Sequence, residues 1–222
     1  FAPEELAARL AGQDAVIVGL KDRIGAAKVG EAERLRIVAN LAVGYDNIDV
    51  DAMSAAGIAV SNTADVLNES VADYTWALLL GAARRMGAAE RWLRAGHSHA
   101  TEFKAWLGTD VRGRTLGILG MGRIGRGIAR RGAHGFGMKV IYHNRHRLDA
   151  DVEEACGARF VGMQELLAES DHLVLVLPYT SEAHHIIGAA ELARMKPTAT
   201  IVNIGRGGLI DENALVLALE AG

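Results

Sequence analysis

The feature that most restricts the fold is a glycine-rich junction between a strand and a helix. Thr115 to Leu119 is a short apolar run that reads as a strand, and Gly120-Met121-Gly122-Arg123-Ile124-Gly125 follows it without a gap. Ile124 to Arg131 then has helical spacing, and Lys139 to Tyr142 reads as the next strand. The three glycines have separate uses. Gly120 permits the tight turn, Gly122 lets a pyrophosphate approach the backbone, and Gly125 allows close helix–strand packing. The helix N-terminus at Arg123 and Ile124 then presents N–H groups and partial positive charge to phosphates. A glycine-rich turn that binds nothing would share the pattern. The flanking strands and helix favour a dinucleotide site.

The same alternation continues to the end of the chain. Met163 to Glu169, Ala189 to Met195 and Glu212 to Glu220 read as helices, and His172 to Leu177 and Thr200 to Ile204 as strands. Strands with nearly continuous apolar cores, alternating with helices, predict an α/β fold built on a doubly wound, Rossmann-type parallel sheet. Upstream, Asp14 to Gly19, Leu35 to Asn40 and Ile58 to Val60 read as strands, with a short helix from Val50 to Ala56. They predict a second, smaller α/β lobe. Between the two, Val71, Tyr74, Thr75, Leu78, Leu79 and Ala82 recur at helical spacing, which predicts a long buried helix from about Asn68 to Met86. The domain boundary is therefore expected between residues 67 and 68. The chain opens on Phe1 and stops at Ala221-Gly222 just after a helical pattern, so the polypeptide is expected to be longer at both ends.

Composition excludes several classes. Twenty-four basic against 27 acidic residues leave a formal charge of −3, which argues against a nucleic-acid-binding domain. No apolar run approaches the ~20 residues that cross a bilayer, so no membrane partner is expected. One cysteine, Cys156, can form neither an intramolecular disulfide nor a cysteine-based metal site, which fits a reducing cytoplasm. The paired histidines His184-His185 and His143 with His146 share their spacing with no cysteine or carboxylate cluster, so no metal is expected.

The choice of dinucleotide turns on the region after the second strand of the motif. In an NAD site an acidic residue about 20 positions past the glycines takes the ribose hydroxyls. Here the segment reads His143-Asn144-Arg145-His146-Arg147, Asn144 follows Gly125 by 19 residues, and no acid appears before Asp149. An acid would repel a 2′-phosphate, whereas Asn144 and Arg145, with Arg147, can bond or neutralise it. NADP(H) is therefore expected over NAD(H). The alternative is a solvated basic loop on an enzyme that takes either cofactor.

Four segments together resemble the D-isomer-specific 2-hydroxyacid dehydrogenases, and most closely their glyoxylate/hydroxypyruvate reductase branch. They are Asn40 to Asp49 (NLAVGYDNID), Ala72 to Thr75 (ADYT), Gly120 to Gly125, and Asn203 to Asp211 (NIGRGGLID). The resemblance runs from about Leu35 to the C-terminus. It implies that residues 1–67 are part of a substrate-binding lobe and 68–222 a dinucleotide-binding domain. It further implies that backbone amides at Val43 and Gly44 hold a substrate carboxylate. A neutral amide cradle at a glycine suits that task, although an ordinary β–α turn would look the same. Arg206 would grip the carboxylate and polarise the carbonyl that receives hydride, as a fixed planar cation can; an isolated arginine would otherwise cap a helix end.

By the same resemblance Leu177 and Pro178, with Ile204, Gly205 and Arg206, bring backbone to the nicotinamide ribose. Thr75 would face the nicotinamide across a closing cleft, unless it is a helical threonine bonding its own backbone. The family's proton-transferring histidine and its glutamate partner lie beyond the arginine, and the sequence stops sixteen residues past Arg206. The implied activity is reduction of a small 2-oxo acid to the D-2-hydroxy acid by a homodimer. Gly87 to Gly113, with Trp92, Leu93 and Trp106, would contribute to the dimer or fill its own core. Two other readings remain on this scaffold: a dehydrogenase of phosphite or formate, and a non-catalytic, dinucleotide-sensing corepressor.

Overall fold

The computed structural model describes residues 3–29, 32–97 and 106–221. They form two compact units, Phe1–Leu67 and Asn68–Gly222. The first contains α1 (Pro3–Leu10), β1 (Ala15–Val18), α2 (Ala26–Val29), β2 (Ile37–Asn40), α3 (Val50–Ala55) and β3 (Ala59–Asn62). Its strands pair in parallel in the order β1-β2-β3, with Val18 opposite Asn40 and Asn40 opposite Asn62 at their carboxyl ends. Leu10, Val38 and Met53 fill the core under this sheet. α3 begins where it does because the Asp49 carboxylate accepts from the Ala52 amide at 2.9 Å, a helix N-cap.

The second unit opens with α4 (Asn68–Ala83) and α5 (Met86–Arg94). It continues through β4 (Thr115–Leu119), α6 (Arg123–Arg130), β5 (Lys139–His143), α7 (Ala150–Cys156), β6 (Ala158–Phe160), α8 (Met163–Glu169), β7 (His172–Leu175), α9 (Ala189–Leu192), β8 (Thr200–Asn203) and α10 (Glu212–Ala221). All pairings are parallel in the order β6-β5-β4-β7-β8. Period-two alternation divides the strand residues between two cores. Leu116, Ile118, Val140, Tyr142 and Val174 pack with Trp76, Leu79 and Ile128 on one face. Leu119, Ile141, Leu173 and Leu175 pack with Leu166, Leu167 and Ile187 on the other. This is the doubly covered parallel sheet that the strand pattern predicts.

Several elements differ from the sequence expectation. The long helix stops at Ala83 rather than Met86, and Arg85 lies in the left-handed region at φ 54° before α5 begins. A distant segment explains the stop, because the Ala83 carbonyl accepts from the Thr109 amide at 2.8 Å. α6 runs on into a π-helical turn, Arg131–Gly135. α7 and β6 were not expected at all. In the segment after α5, Trp92 and Trp106 pack on one another with centroids 5.1 Å apart, while residues 98–105 lie outside the described residues.

One core group carries a pH dependence. His172 on β7 is 2 % exposed; its Nδ1 meets the Thr200 hydroxyl at 2.6 Å and its Nε2 has no partner among the described residues. Burial holds its pKa below the usual 6.5, against a smaller upward pull from Asp171. The unfolded chain therefore takes up a proton near pH 6.5 while the folded chain stays neutral, so stability falls as pH drops through that value and levels off only below the folded pKa. Urea midpoints measured from pH 7.5 downward should fall in the native protein and stay flatter in His172→Asn. Parallel curves would remove His172 from this account.

Candidate functional site

β5 lies on one side of β4 and β7 on the other, so strand order reverses at the carboxyl end of β4, where open α/β sheets bind ligands. The glycine loop occupies that point. Gly120 has φ +107°, and a Cβ on it would come within 2.5 Å of the Val176 carbonyl oxygen. A Cβ on Gly125 would meet the Gly120 carbonyl oxygen at 2.4 Å. A Cβ on Gly122 would meet nothing within 4 Å. Gly120 and Gly125 are thus required by the fold itself, and Gly122 leaves an open approach to backbone. Gly122 caps α6 without a side chain, Arg123 is exposed, Ile124 is half-buried, and the first intrahelical bond runs from the Arg126 amide to the Gly122 carbonyl at 2.9 Å. A bare backbone cradle at a helix N-terminus fits a dinucleotide's pyrophosphate.

The loop is tied to the end of β5. The Gly120 amide donates to the His143 carbonyl at 3.1 Å, and the Met121 amide donates to Asn144 Oδ1 at 2.7 Å. Arg145 is exposed, and its charge helps hold the Glu182 carboxyl below the usual range, after that residue's own backbone amide and the Thr180 and Ser181 hydroxyls. Arg147, in contrast, is drawn to a buried carboxylate. It donates to both oxygens of Glu153 on α7, at 3.0 and 2.7 Å. The Tyr142 hydroxyl donates to Glu153 at 2.6 Å and accepts from the Leu148 amide at 2.8 Å. Hydrogen bonds from Arg147 and Tyr142 hold the Glu153 carboxyl below its usual range, while burial and that carboxylate push Tyr142 up to about 12. This network fixes both ends of the Asn144–Leu148 loop.

Beyond β7, Leu177 is half-buried and Pro178 exposed. Beyond β8, a Cβ on Gly205 would lie 2.8 Å from the Leu177 carbonyl oxygen, so the two loops touch through backbone. Asn203 clamps the second loop from both sides: its Oδ1 accepts from the Gly205 amide at 3.0 Å and its Nδ2 donates to the Arg206 carbonyl at 2.9 Å. Ile204 and Arg206 are half-buried, and Arg206 Nη1 donates to the Gly205 carbonyl at 3.2 Å. Tyr179 backs the loop at Gly208, and the His185 amide donates to the Gly208 carbonyl at 2.8 Å. The paired histidines thus support the Arg206 loop; His184 bonds the Tyr179 hydroxyl and stacks on His185.

Thr75 departs from its expected role. It is completely buried, and its hydroxyl donates to the Val71 carbonyl at 2.7 Å, one turn back in α4. It is a core residue bonded to its own helix, the second of the two readings its sequence allowed. In the first unit, Val43 and Gly44 are half-buried in the loop after β2, and Asn62 donates to the Val43 carbonyl. Sequence reasoning gave no role to Asn40, Asn62 or Asn203, each the last residue of its strand, nor to Tyr142 and Glu153. Among the described residues no three His, Cys, Asp or Glu side chains could hold a metal, and no helix is long and apolar enough to cross a membrane.

Comparison with known proteins agrees with this geometry. Residues 76–222 match the family model described as "D-isomer specific 2-hydroxyacid dehydrogenase, NAD binding domain". A glyoxylate reductase of Thermococcus onnurineus is 47% identical over 99% of this chain and 66% of its own length. Glyoxylate/hydroxypyruvate reductase B of Shigella boydii is 44% identical over 93% of this chain and 63% of its own. The crystal structure of a glyoxylate reductase from Paecilomyes thermophila superimposes with a TM-score of 0.88 at 40% identity, covering 98% of this chain and 68% of that one. The chain therefore spans just under two thirds of the length of these curated relatives. The sheet order, the glycine loop and these matches together make the chain a member of the D-isomer-specific 2-hydroxyacid dehydrogenase family.

Proposed function

We propose that the full-length protein is an NADPH-preferring reductase of small 2-oxo acids of the glyoxylate and hydroxypyruvate type, giving the D-2-hydroxy acid. The observation that carries this is the clamped Arg206 loop, in backbone contact with the strand end beside the glycine loop. The glycine loop and the start of α6 would hold the pyrophosphate, and the backbone of Leu177-Pro178 and Ile204-Gly205 would contact the nicotinamide ribose. The nicotinamide, when bound, supplies the hydride. Arg206 orients the carboxylate and offsets the negative charge that develops on the carbonyl oxygen, a role for which a planar cation in a fixed loop is suited. The Val43 and Gly44 amides take the carboxylate as a neutral anion site. The proton comes from a histidine whose pKa a glutamate raises, both placed by family resemblance beyond residue 222. A cytoplasmic homodimer is part of the same proposal. The lone, buried Cys156 supports the compartment, and the exposed apolar side chains of Leu78 and Met86 support the dimer.

Full-length protein given NADPH and glyoxylate or hydroxypyruvate should consume the cofactor. Protein that binds NADPH yet turns over neither acid would end this reading. Cofactor choice is tested separately. Asn144 spends its oxygen on Met121, leaving its amide group for the ribose, and Arg145 is the exposed cation beside it. Arg145→Asp removes one charged bond to a 2′-phosphate and adds repulsion, so KM for NADPH should rise ~10–100-fold. KM for NADH should change by less than ~3-fold, since no phosphate is there to lose. Equal losses for both cofactors would show that Arg145 does not read the 2′-phosphate.

A further inference from the structure

The loop after β2 has three consecutive carbonyls held by the scaffold of the first unit. The Ala42 carbonyl accepts from the Thr63 amide at 3.1 Å. The Val43 carbonyl accepts from Asn62 Nδ2 at 2.8 Å, and the Gly44 carbonyl from Asn40 Nδ2 at 2.7 Å. No peptide here is cis, so each N–H points opposite to the carbonyl of its own peptide plane. In an extended strand successive carbonyls would alternate in direction. Here those of Ala42 and Val43 both go to adjacent residues at the end of β3, so the amides of Val43 and Gly44 both face away from it. Successive amides on one side make a concavity for an anion.

We propose that Asn62 is a positioning residue for the substrate carboxylate, holding the Val43 carbonyl so that the Gly44 amide of the same peptide plane is aimed outward, while Asn40 steadies the loop by holding the next plane, that of Gly44 and Tyr45. The inference rests on the reading of this loop as the carboxylate site. The two asparagines are register partners at the ends of β3 and β2, which sets their spacing. Asn40 is 2 % exposed and is itself held, its Oδ1 accepting from Asn47 Nδ2 at 3.3 Å. Asn47 also reaches the Gly19 and Asp22 carbonyls, at 3.2 and 3.1 Å. The cradle is thus anchored to the loop after β1 as well. Neither asparagine need touch substrate: each acts through the peptide plane that it fixes.

Asn62 gives the cleaner test, because it is exposed and its replacement removes no core contact. In full-length protein, Asn62→Ala should raise KM for glyoxylate about tenfold, the factor that follows from losing one well-aimed bond to a charged group. kcat and KM for NADPH should stay within ~2-fold and the melting temperature should hold, since the second unit is untouched. Asn62→Gln, which keeps the donor, should recover part of the loss. Oxalate, a carboxylate that accepts no hydride, provides a readout without turnover, and its Kd should weaken by the same factor in Asn62→Ala. Unchanged KM for glyoxylate, or a parallel rise in KM for NADPH with a lower melting temperature, would overturn the assignment. Native protein that binds oxalate but reduces no 2-oxo acid would refute the proposed reaction and leave the cradle standing. Native protein that binds no oxalate would refute the cradle.

Discussion

Arg206→Ala in the full-length protein should lower kcat/KM for glyoxylate by at least ~10²–10³, the cost of removing one donor aimed at a developing oxyanion. KM for NADPH should be nearly unchanged. The separation is expected because backbone groups of Gly205 and Leu177, not the arginine side chain, form the edge that the cofactor would line. The loop itself should survive the substitution. Asn203 holds it through the Gly205 amide and the Arg206 carbonyl, both backbone groups that alanine retains. Arg206→Lys should recover only a minor part of the activity, since an ammonium cannot contact two oxygens in one plane. Circular dichroism and NADPH titration of each variant separate a lost reaction from a lost fold. An Arg206→Ala enzyme with near-native kcat/KM would remove the arginine from the reaction and with it the main support for the 2-oxo acid assignment.

Apolar run and turn signals were enough to locate β4, α8 and the order of the second unit, because those elements are buried on the faces that the pattern predicts. α7 and β6 escaped for a physical reason. α7 buries Glu153 and Cys156 rather than a stripe of large apolar residues, and its carboxylate is stabilised by Arg147 and Tyr142. No hydrophobic periodicity reports such an arrangement. β6 has only three residues at the sheet edge, too short for alternation to register. The end of α4 was invisible for a different reason: the group that takes the Ala83 carbonyl arrives from Thr109.

The candidate site was legible as motifs but not as a mechanism of support. Its glycines and Arg206 stand out because their roles need those residue types. The asparagines do not, since asparagine is common in any loop. Yet Asn40, Asn62 and Asn203 each end a parallel strand, Asn144 directly follows one, and all four bond loop backbone. An apolar strand that closes on Asn is the signal that would have found them. A side chain there can both donate and accept, so it can fix peptide planes in the loop that the ladder no longer reaches. Thr75 illustrates the converse. It lies in a segment that carries the family resemblance, but a hydroxyl on a buried helix face bonds its own turn.

Two alanine substitutions in the glycine loop should have opposite signatures. Gly125→Ala puts a methyl 2.4 Å from the Gly120 carbonyl oxygen and 3.5 Å from Ile118, so α6 or the loop must move. Overpacking of this kind costs ~1–3 kcal/mol, and each kcal/mol lowers the melting temperature by ~2–4 °C in a domain of this size. A fall of ~2–12 °C is therefore expected, with weaker NADPH binding as the cradle deforms. Gly122→Ala meets no neighbour within 4 Å, and its φ of −78° suits alanine. At a helix N-cap, alanine in place of glycine costs less than ~1 kcal/mol, so the melting temperature should move by less than ~4 °C. Its methyl instead occupies the space through which a pyrophosphate would approach the amides, and Kd for NADPH should rise at least ~10-fold. Thermal melts and fluorescence titrations of both variants read the two effects independently. If Gly122→Ala binds NADPH as the native protein does, the pyrophosphate does not approach at Gly122, whatever Gly125→Ala does to stability.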